Sequence, residues 1–157
     1  NKAAYVFGTG MLTTAATNPE VATVAYQIMA CVMIGGMVPP LAIALSTTFF
    51  KSRWTAEERK NGVVNYVMGL SFITEGAIPY AASSPLKVIP SCAIGSAVAG
   101  GLSWLFGCTL MAPHGGIFVV ATIGNPLLYL LALAIGAVVG MILLTIMKRP
   151  IDTAKKK

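Results

Sequence analysis

The chain has 157 residues, 56% of them hydrophobic and 10% charged, with a formal net charge of +6. An ordinary soluble domain carries about 25% charged residues, and a domain of about 150 residues still exposes roughly a third of its unfolded surface, so this composition excludes a water-soluble globule. Nor does the positive charge point to nucleic acid, because the basic residues gather in two short clusters, within 51–60 and 148–157, of the kind that flank membrane spans.

The reading is an all-α, polytopic integral membrane protein with broken or re-entrant helical hairpins. The chain starts at Asn1 with no initiator Met and no signal-peptide pattern, and is expected to be part of a longer protein. Asn18-Pro19-Glu20 reads as a turn into a helix, with Glu20 in the first turn where the dipole favours an acid. Val21–Phe50 exceeds the roughly 20 apolar residues a spanning helix needs, and Pro39-Pro40 within it predicts a kink or break. Lys51–Lys60, KSRWTAEERK, is the most charged stretch. The enrichment of Lys and Arg in cytoplasmic loops assigns this loop and the basic tail, 148–157, to the cytoplasm. An even number of crossings must then separate them.

Asn61–Ser84 is interrupted by Glu75-Gly76 and Pro79. It reads as a hairpin that enters from the cytoplasm, turns near Glu75 and returns, leaving Lys87 on the cytoplasmic side. Val88–Met111, rich in Gly, Ala and Ser, crosses outward; small residues let helices approach closely in lipid. A second broken hairpin holds Pro113-His114-Gly115-Gly116. Gly124-Asn125-Pro126 is a break and helix start, and Leu127–Met147 crosses back. Irregular backbone at membrane depth survives only when buried in protein or lining a wet cavity, so two broken segments among intact spans point to a transport site. Four straight helices with tight loops are the plain competitor.

Glu75 stands alone in the stretch ITEGAIPY. A charge near the bilayer centre costs about 2.5–3.5 kcal/mol on insertion scales, which Glu75 escapes by protonation, by hydrogen bonding or by facing water. Gly76 permits backbone geometry that other residues resist, and Pro79 frees a carbonyl near residue 75. A carboxylate beside free backbone groups suits a neutral polyol; a proton or cation site, or a structural Glu, is equally allowed. His114 is either a loop residue or a donor to substrate or to a phosphoryl oxygen. Lys87 is either a topology anchor or a cation near an incoming phosphate. Cys31, Cys92 and Cys108 lie in apolar runs and read as small packing residues. No Cys/His spacing resembles a metal site, and no cofactor is expected.

The stretch GLSFITEGAIPYAASSPLKVIPSCAIGSAVAGGLSWLFGCTLMAPHGGIFV closely resembles the fructose-specific membrane component, IIC, of the bacterial phosphoenolpyruvate-dependent sugar phosphotransferase system. GTGMLTTAATNPEVATVAYQ is similar to it as well. The family usually reads GITEGAIPF; here Ser71-Phe72 precede Ile73–Pro79, and Tyr80 stands where Phe is usual. The resemblance implies a multi-pass protein of the bacterial cytoplasmic (inner) membrane that takes up fructose, or a similar ketose or polyol, and phosphorylates it during translocation. The phosphoryl donor would be a phosphocysteine of a separate IIB domain, so none of the three cysteines here has that role. The resemblance makes Glu75 the catalytic residue, holding sugar hydroxyls and assisting proton removal, with Thr74, Glu75, Gly76 and His114 as the substrate-binding set. It also implies that residues 1–157 form the C-terminal half of a component twice as long, a homodimer when complete. Expected partners are thus the sugar, phosphorylated IIB and the bilayer. The competing readings are a proton- or ion-coupled carrier using Glu75, and a structural fragment that only assembles with other membrane subunits.

Overall fold

Three stretches form helices long and apolar enough to cross a membrane, at Glu20–Phe49, Pro85–Leu105 and Pro126–Met147, close to the expected spans. The computed structural model describes residues 2–150. In chain order its helices are α1 (Lys2–Thr17), α2 (Pro19–Phe49), α3 (Ala56–Leu70), α4 (Ile78–Ser83), α5 (Pro85–Leu105) and α6 (Pro126–Met147). Single 3-10 segments lie at Lys51–Arg53, Thr74–Ala77 and Gly116–Thr122. Within the protein, 67% of the apolar window of α2 is buried, against 33% for α5 and 39% for α6. Therefore α2 is the central helix, and the outer faces of the other two remain for lipid. Met29, Met33, Ile34, Met37 and Val38 of α2 are all fully buried, whereas Leu86 and Leu105 of α5 and Leu127 and Ile146 of α6 point outward. Small residues bring α5 and α6 together: a Cβ on Gly136 would stand 2.5 Å from the Ala99 Cβ and 2.7 Å from the Gly95 carbonyl.

The structure departs from the sequence reading in three places. The outward crossing from Val88 ends at Leu105 rather than Met111; Gly107, at φ +62°, gives the left-handed stop that commonly terminates a helix. The stretch before Asn18, which the sequence reading left unassigned, is the helix α1. Its threonines satisfy their hydroxyls on carbonyls of the preceding turn, as in Thr13 to Gly10 at 2.7 Å. Finally, Pro39-Pro40 does not break α2, which runs through both. Prolines at 39 and 40 cannot donate to the carbonyls of Gly35 and Gly36, four residues back. Those two carbonyls instead accept the hydroxyls of Ser96, at 2.8 Å, and Thr74, at 3.1 Å. Backbone groups in an apolar surrounding must be satisfied within the protein, and here α5 and the 74–77 turn supply what the prolines removed.

The two basic clusters meet at one end of the bundle. Arg53 donates to the carbonyls of Thr145 and Lys148 at the end of α6. The Lys148 ammonium lies 3.1 Å from a Glu58 carboxylate oxygen and 3.5 Å from the centre of the Trp54 ring, a cation over an aromatic face. Lys148 was expected in a basic tail and is instead buried; residues 151–157 of that tail lie outside the described residues. The expected loop at 51–60 is also shorter, because α3 already begins at Ala56. Thr55 and Glu58 cap it reciprocally, Glu58 N–H to Thr55 Oγ1 at 3.2 Å and Thr55 N–H to Glu58 Oε2 at 2.8 Å. One carboxylate thus starts α3 and ties it to α6. Burial pushes the Glu58 carboxyl up, but the Thr55 and Lys148 hydrogen bonds outweigh it and hold the group below its ordinary value. Lys148 also lies below its ordinary value. Attraction to Glu58 alone would raise it, so burial, with repulsion from Lys87, dominates at the lysine.

Candidate functional site

From the basic end, α3 runs antiparallel to α2, with Gly62 against Thr47 and Gly69 against Leu41. It ends in a Schellman arrangement, Ile73 N–H to Met68 O at 2.7 Å and Phe72 N–H to Gly69 O at 3.2 Å. Phe72 occupies the left-handed position, φ +63°, where glycine is usual. For a non-glycine residue this conformation costs about 1–2 kcal/mol. Burial of the Phe72 ring offsets that cost: it packs edge-on to His114 at 5.4 Å between centroids and against Tyr5 at 6.3 Å. The chain then makes the 3-10 turn Thr74–Ala77 and returns as α4, where the Tyr80 hydroxyl donates to the Glu58 carbonyl at 2.7 Å. Asn61–Ser84 is therefore broken, as expected, but at residues 71–73. Pro79 does not break it, because it sits in the first turn of α4, where no helical donor is needed.

The turn lies deep. Thr74 touches α2 at Gly36, and from Gly36 to the helix end at Phe49 is about 20 Å at 1.5 Å per residue. A hydrocarbon core is about 30 Å thick. A second irregular stretch, 106–125, comes from the opposite end of the bundle. Its Leu110 N–H donates to the Tyr26 carbonyl near the start of α2, at 3.0 Å. Gly116, φ +56°, presses so closely on residues 70–72 that a Cβ there would stand 2.1 Å from the Leu70 carbonyl. The two expected broken segments thus meet each other inside the bundle.

Glu75 opens into a cavity of about 470 Å³ between the limbs of the hairpin, whose polar lining includes Thr55, Glu58, Asn61, Asn65 and Tyr80. Small-molecule sites typically measure about 300–1,000 Å³. A larger cavity, about 650 Å³, lies on the other side of the turn and is mostly apolar. Its two hydroxyls, Thr74 and Ser96, are those donated to the carbonyls of α2. The smaller cavity, the more polar of the two, is therefore the better match to a hydroxylated ligand.

Of the four residues singled out from the sequence, Glu75 and Gly76 line this cavity. Thr74 faces the apolar one, and His114 is exposed, its ring against Phe72. Gly76 leaves no room for a side chain: a Cβ would stand 2.2 Å from Asn65 Oδ1 and 2.8 Å from Met68 Sδ. The sequence reading missed Glu57, Asn61 and Asn65, which all line the cavity. Their i, i+4 spacing sets them on one face of α3, and that polar row was the available signal. Cys92 and Cys108 are buried and Cys31 half-buried, all three as free thiols, and Cys31 Sγ donates to the Gly100 carbonyl at 3.3 Å.

Comparison with known proteins adds what geometry alone does not carry. The chain is 50% identical over 151 residues, 96% of its length, to the "PTS system fructose-specific EIIABC component" of Bacillus subtilis, of which it covers 22%. It is 49% identical over 152 residues to the "Fructose permease IIC component" of Bacillus amyloliquefaciens, covering 97% of this chain and 47% of that protein. The "PTS system fructose-specific EIIB'BC component" of Escherichia coli is 42% identical over 160 residues, 99% of this chain and 27% of that protein. The chain thus spans about half the length of the Bacillus amyloliquefaciens relative, and about a quarter of the two fused ones. No family model and no solved structure matches it. Along nearly its whole length, then, the chain is a homologue of part of the fructose-specific components of the phosphotransferase system, the family that its ITEGAIP and APHGG segments resemble.

Proposed function

We propose that this chain forms the sugar-binding portion of a phosphotransferase-system permease that takes up fructose, or a closely similar ketose, and presents it for phosphorylation. The observation that carries the reading is Glu75: an exposed carboxylate on a broken turn well along the length of α2, opening into a cavity with polar groups in its lining, within a chain whose relatives are named fructose-specific. In this mechanism the ketose occupies the cavity between α3 and the 74–77 turn. A sugar hydroxyl donates to Glu75, which holds it and takes its proton as its oxygen attacks phosphorus. The phosphoryl group comes from a phosphocysteine of a IIB domain; the P–S bond breaks as the P–O bond forms, and the thiolate leaves. Positioning and proton acceptance suffice, because phosphoryl transfer asks for little covalent chemistry from the acceptor side.

The basic end, with Arg53, Lys87 and Lys148, faces the cytoplasm in this reading, as the distribution of Lys and Arg favours. IIB then approaches the end at which the hairpin limbs begin. The test is formation of sugar phosphate inside vesicles carrying the full-length permease, supplied with phosphorylated IIB and external fructose. Fructose phosphate in the lumen supports the proposal. Accumulation of unmodified sugar would instead establish a proton- or ion-coupled carrier, and no fructose-dependent signal at all would refute the sugar assignment.

A further inference from the structure

One polar group lining the cavity is both buried and unpaired, and the mechanism above assigns it no work. Asn65 of α3 is 2% exposed, and its Nδ2 has no hydrogen-bond partner among the described residues. A buried donor left unpaired carries its full desolvation penalty, which an apolar side chain of the same shape avoids. Packing alone therefore does not account for an amide at this position. Asn65 lines the same cavity as Glu75, and its Oδ1 lies so close to Gly76 that only glycine fits there. Gly76 is thus the residue that lets this amide sit beside the turn bearing the carboxylate. The two groups are complementary, since an ionised carboxylate only accepts and an amide nitrogen only donates, and a polyol offers hydroxyls to both.

We infer that Asn65 is a sugar-positioning residue, its amide N–H donating to one ketose hydroxyl while Glu75 holds another. The nitrogen is closed off from solvent, so a hydroxyl reaches it through a shift of the 74–77 turn, and the gain of a partner favours the sugar-bound arrangement. A site built to hydrogen-bond a substrate hydroxyl rejects an analogue that lacks it, because its own buried group is then left unpaired. Asn65 accordingly sets part of the discrimination among sugars. This inference rests on the reading of the cavity as a sugar site.

The test compares fructose with its monodeoxy analogues in the full-length permease with phosphorylated IIB, for the wild type, Asn65→Leu and Asn65→Ser. The wild type should show a KM about tenfold higher for one analogue, the loss of about one hydrogen bond. Asn65→Leu should raise the KM for fructose by a similar factor while leaving that analogue unchanged, so that discrimination at this single hydroxyl disappears. Asn65→Ser, which keeps a donor, should fall between them, and it carries the comparison if the Leu variant fails to insert. Variants that keep the wild-type ranking of every analogue would overturn the assignment, as would variants that weaken all sugars alike, the mark of a structural residue. A wild type that binds none of these sugars would overturn the sugar-site reading itself, and the role of Asn65 with it.

Discussion

The unbroken passage of α2 through Pro39-Pro40 gives a sharp prediction. Ser96 donates to the Gly35 carbonyl at 2.8 Å, and that carbonyl has no helical donor because residue 39 is proline. Ser96→Ala should leave it unpaired in an apolar surrounding. The cost is about 1–2 kcal/mol, between the average of about 0.6 kcal/mol for interhelical hydrogen bonds in membranes and the upper range of about 3 kcal/mol for a buried orphan. Pro39→Ala restores an N–H aimed at the same carbonyl, so in that background Ser96→Ala should cost almost nothing. The measurement is unfolding in detergent of the wild type, both single variants and the double variant, read as a double-mutant cycle. A coupling of about 1 kcal/mol or more is expected. Additivity within about 0.5 kcal/mol, the behaviour of independent sites, would refute the claim that the α5 hydroxyl replaces the proline's missing donor.

Three further outcomes are expected. Gly136→Ala forces a methyl to within 2.5 Å of Ala99 and should destabilise the α5–α6 contact by about 1–3 kcal/mol, the usual range for overpacking; wild-type thermal stability in detergent would contradict the packing. Because the folded-state Glu58 carboxyl lies below its ordinary value, its contribution is complete above the unfolded carboxylate range, near about 4.3, and is lost as pH falls through the lower folded value. Glu58→Gln, which can keep the Thr55 cap but not the Lys148 ion pair, should flatten this acid limb of the stability curve, and an unchanged limb would show that the pair contributes nothing. A cysteine placed at the exposed Ser52 should react with an impermeant reagent only from the cytoplasmic side, and labelling from outside intact cells would reverse the orientation.

The spans were legible in the sequence because run length and hydropathy depend only on local composition. Asn61–Ser84 was legible as a broken segment for the same reason, since Glu75, Gly76 and Pro79 interrupt an apolar run. The place of the break was not, because it rests on Phe72 in a left-handed conformation, which its burial against His114 and Tyr5 sustains and which no local pattern announces. The break expected at Pro39-Pro40 is absent because the compensation comes from Thr74 and Ser96, 38 and 61 residues from the Gly36 and Gly35 carbonyls they satisfy. Lys148 looked like a tail residue because its partner, Glu58, is 90 residues distant. Glu75 could be singled out as a lone carboxylate, whereas Asn65 could not, since its unpaired amide becomes visible only once α3 and Gly76 are placed together.

The most direct test of the central claim is Glu75→Gln in well-folded, full-length permease, with fructose binding and phosphorylated-IIB-dependent phosphorylation measured on the same preparation. Gln keeps the shape and can still pair with hydroxyls, but it cannot take a proton. Phosphorylation should fall by at least about 10²-fold, the contribution of a positioned general base, while binding falls much less. Equal losses in both would reduce Glu75 to a residue that only holds sugar, and wild-type values of both would remove it from the sugar site.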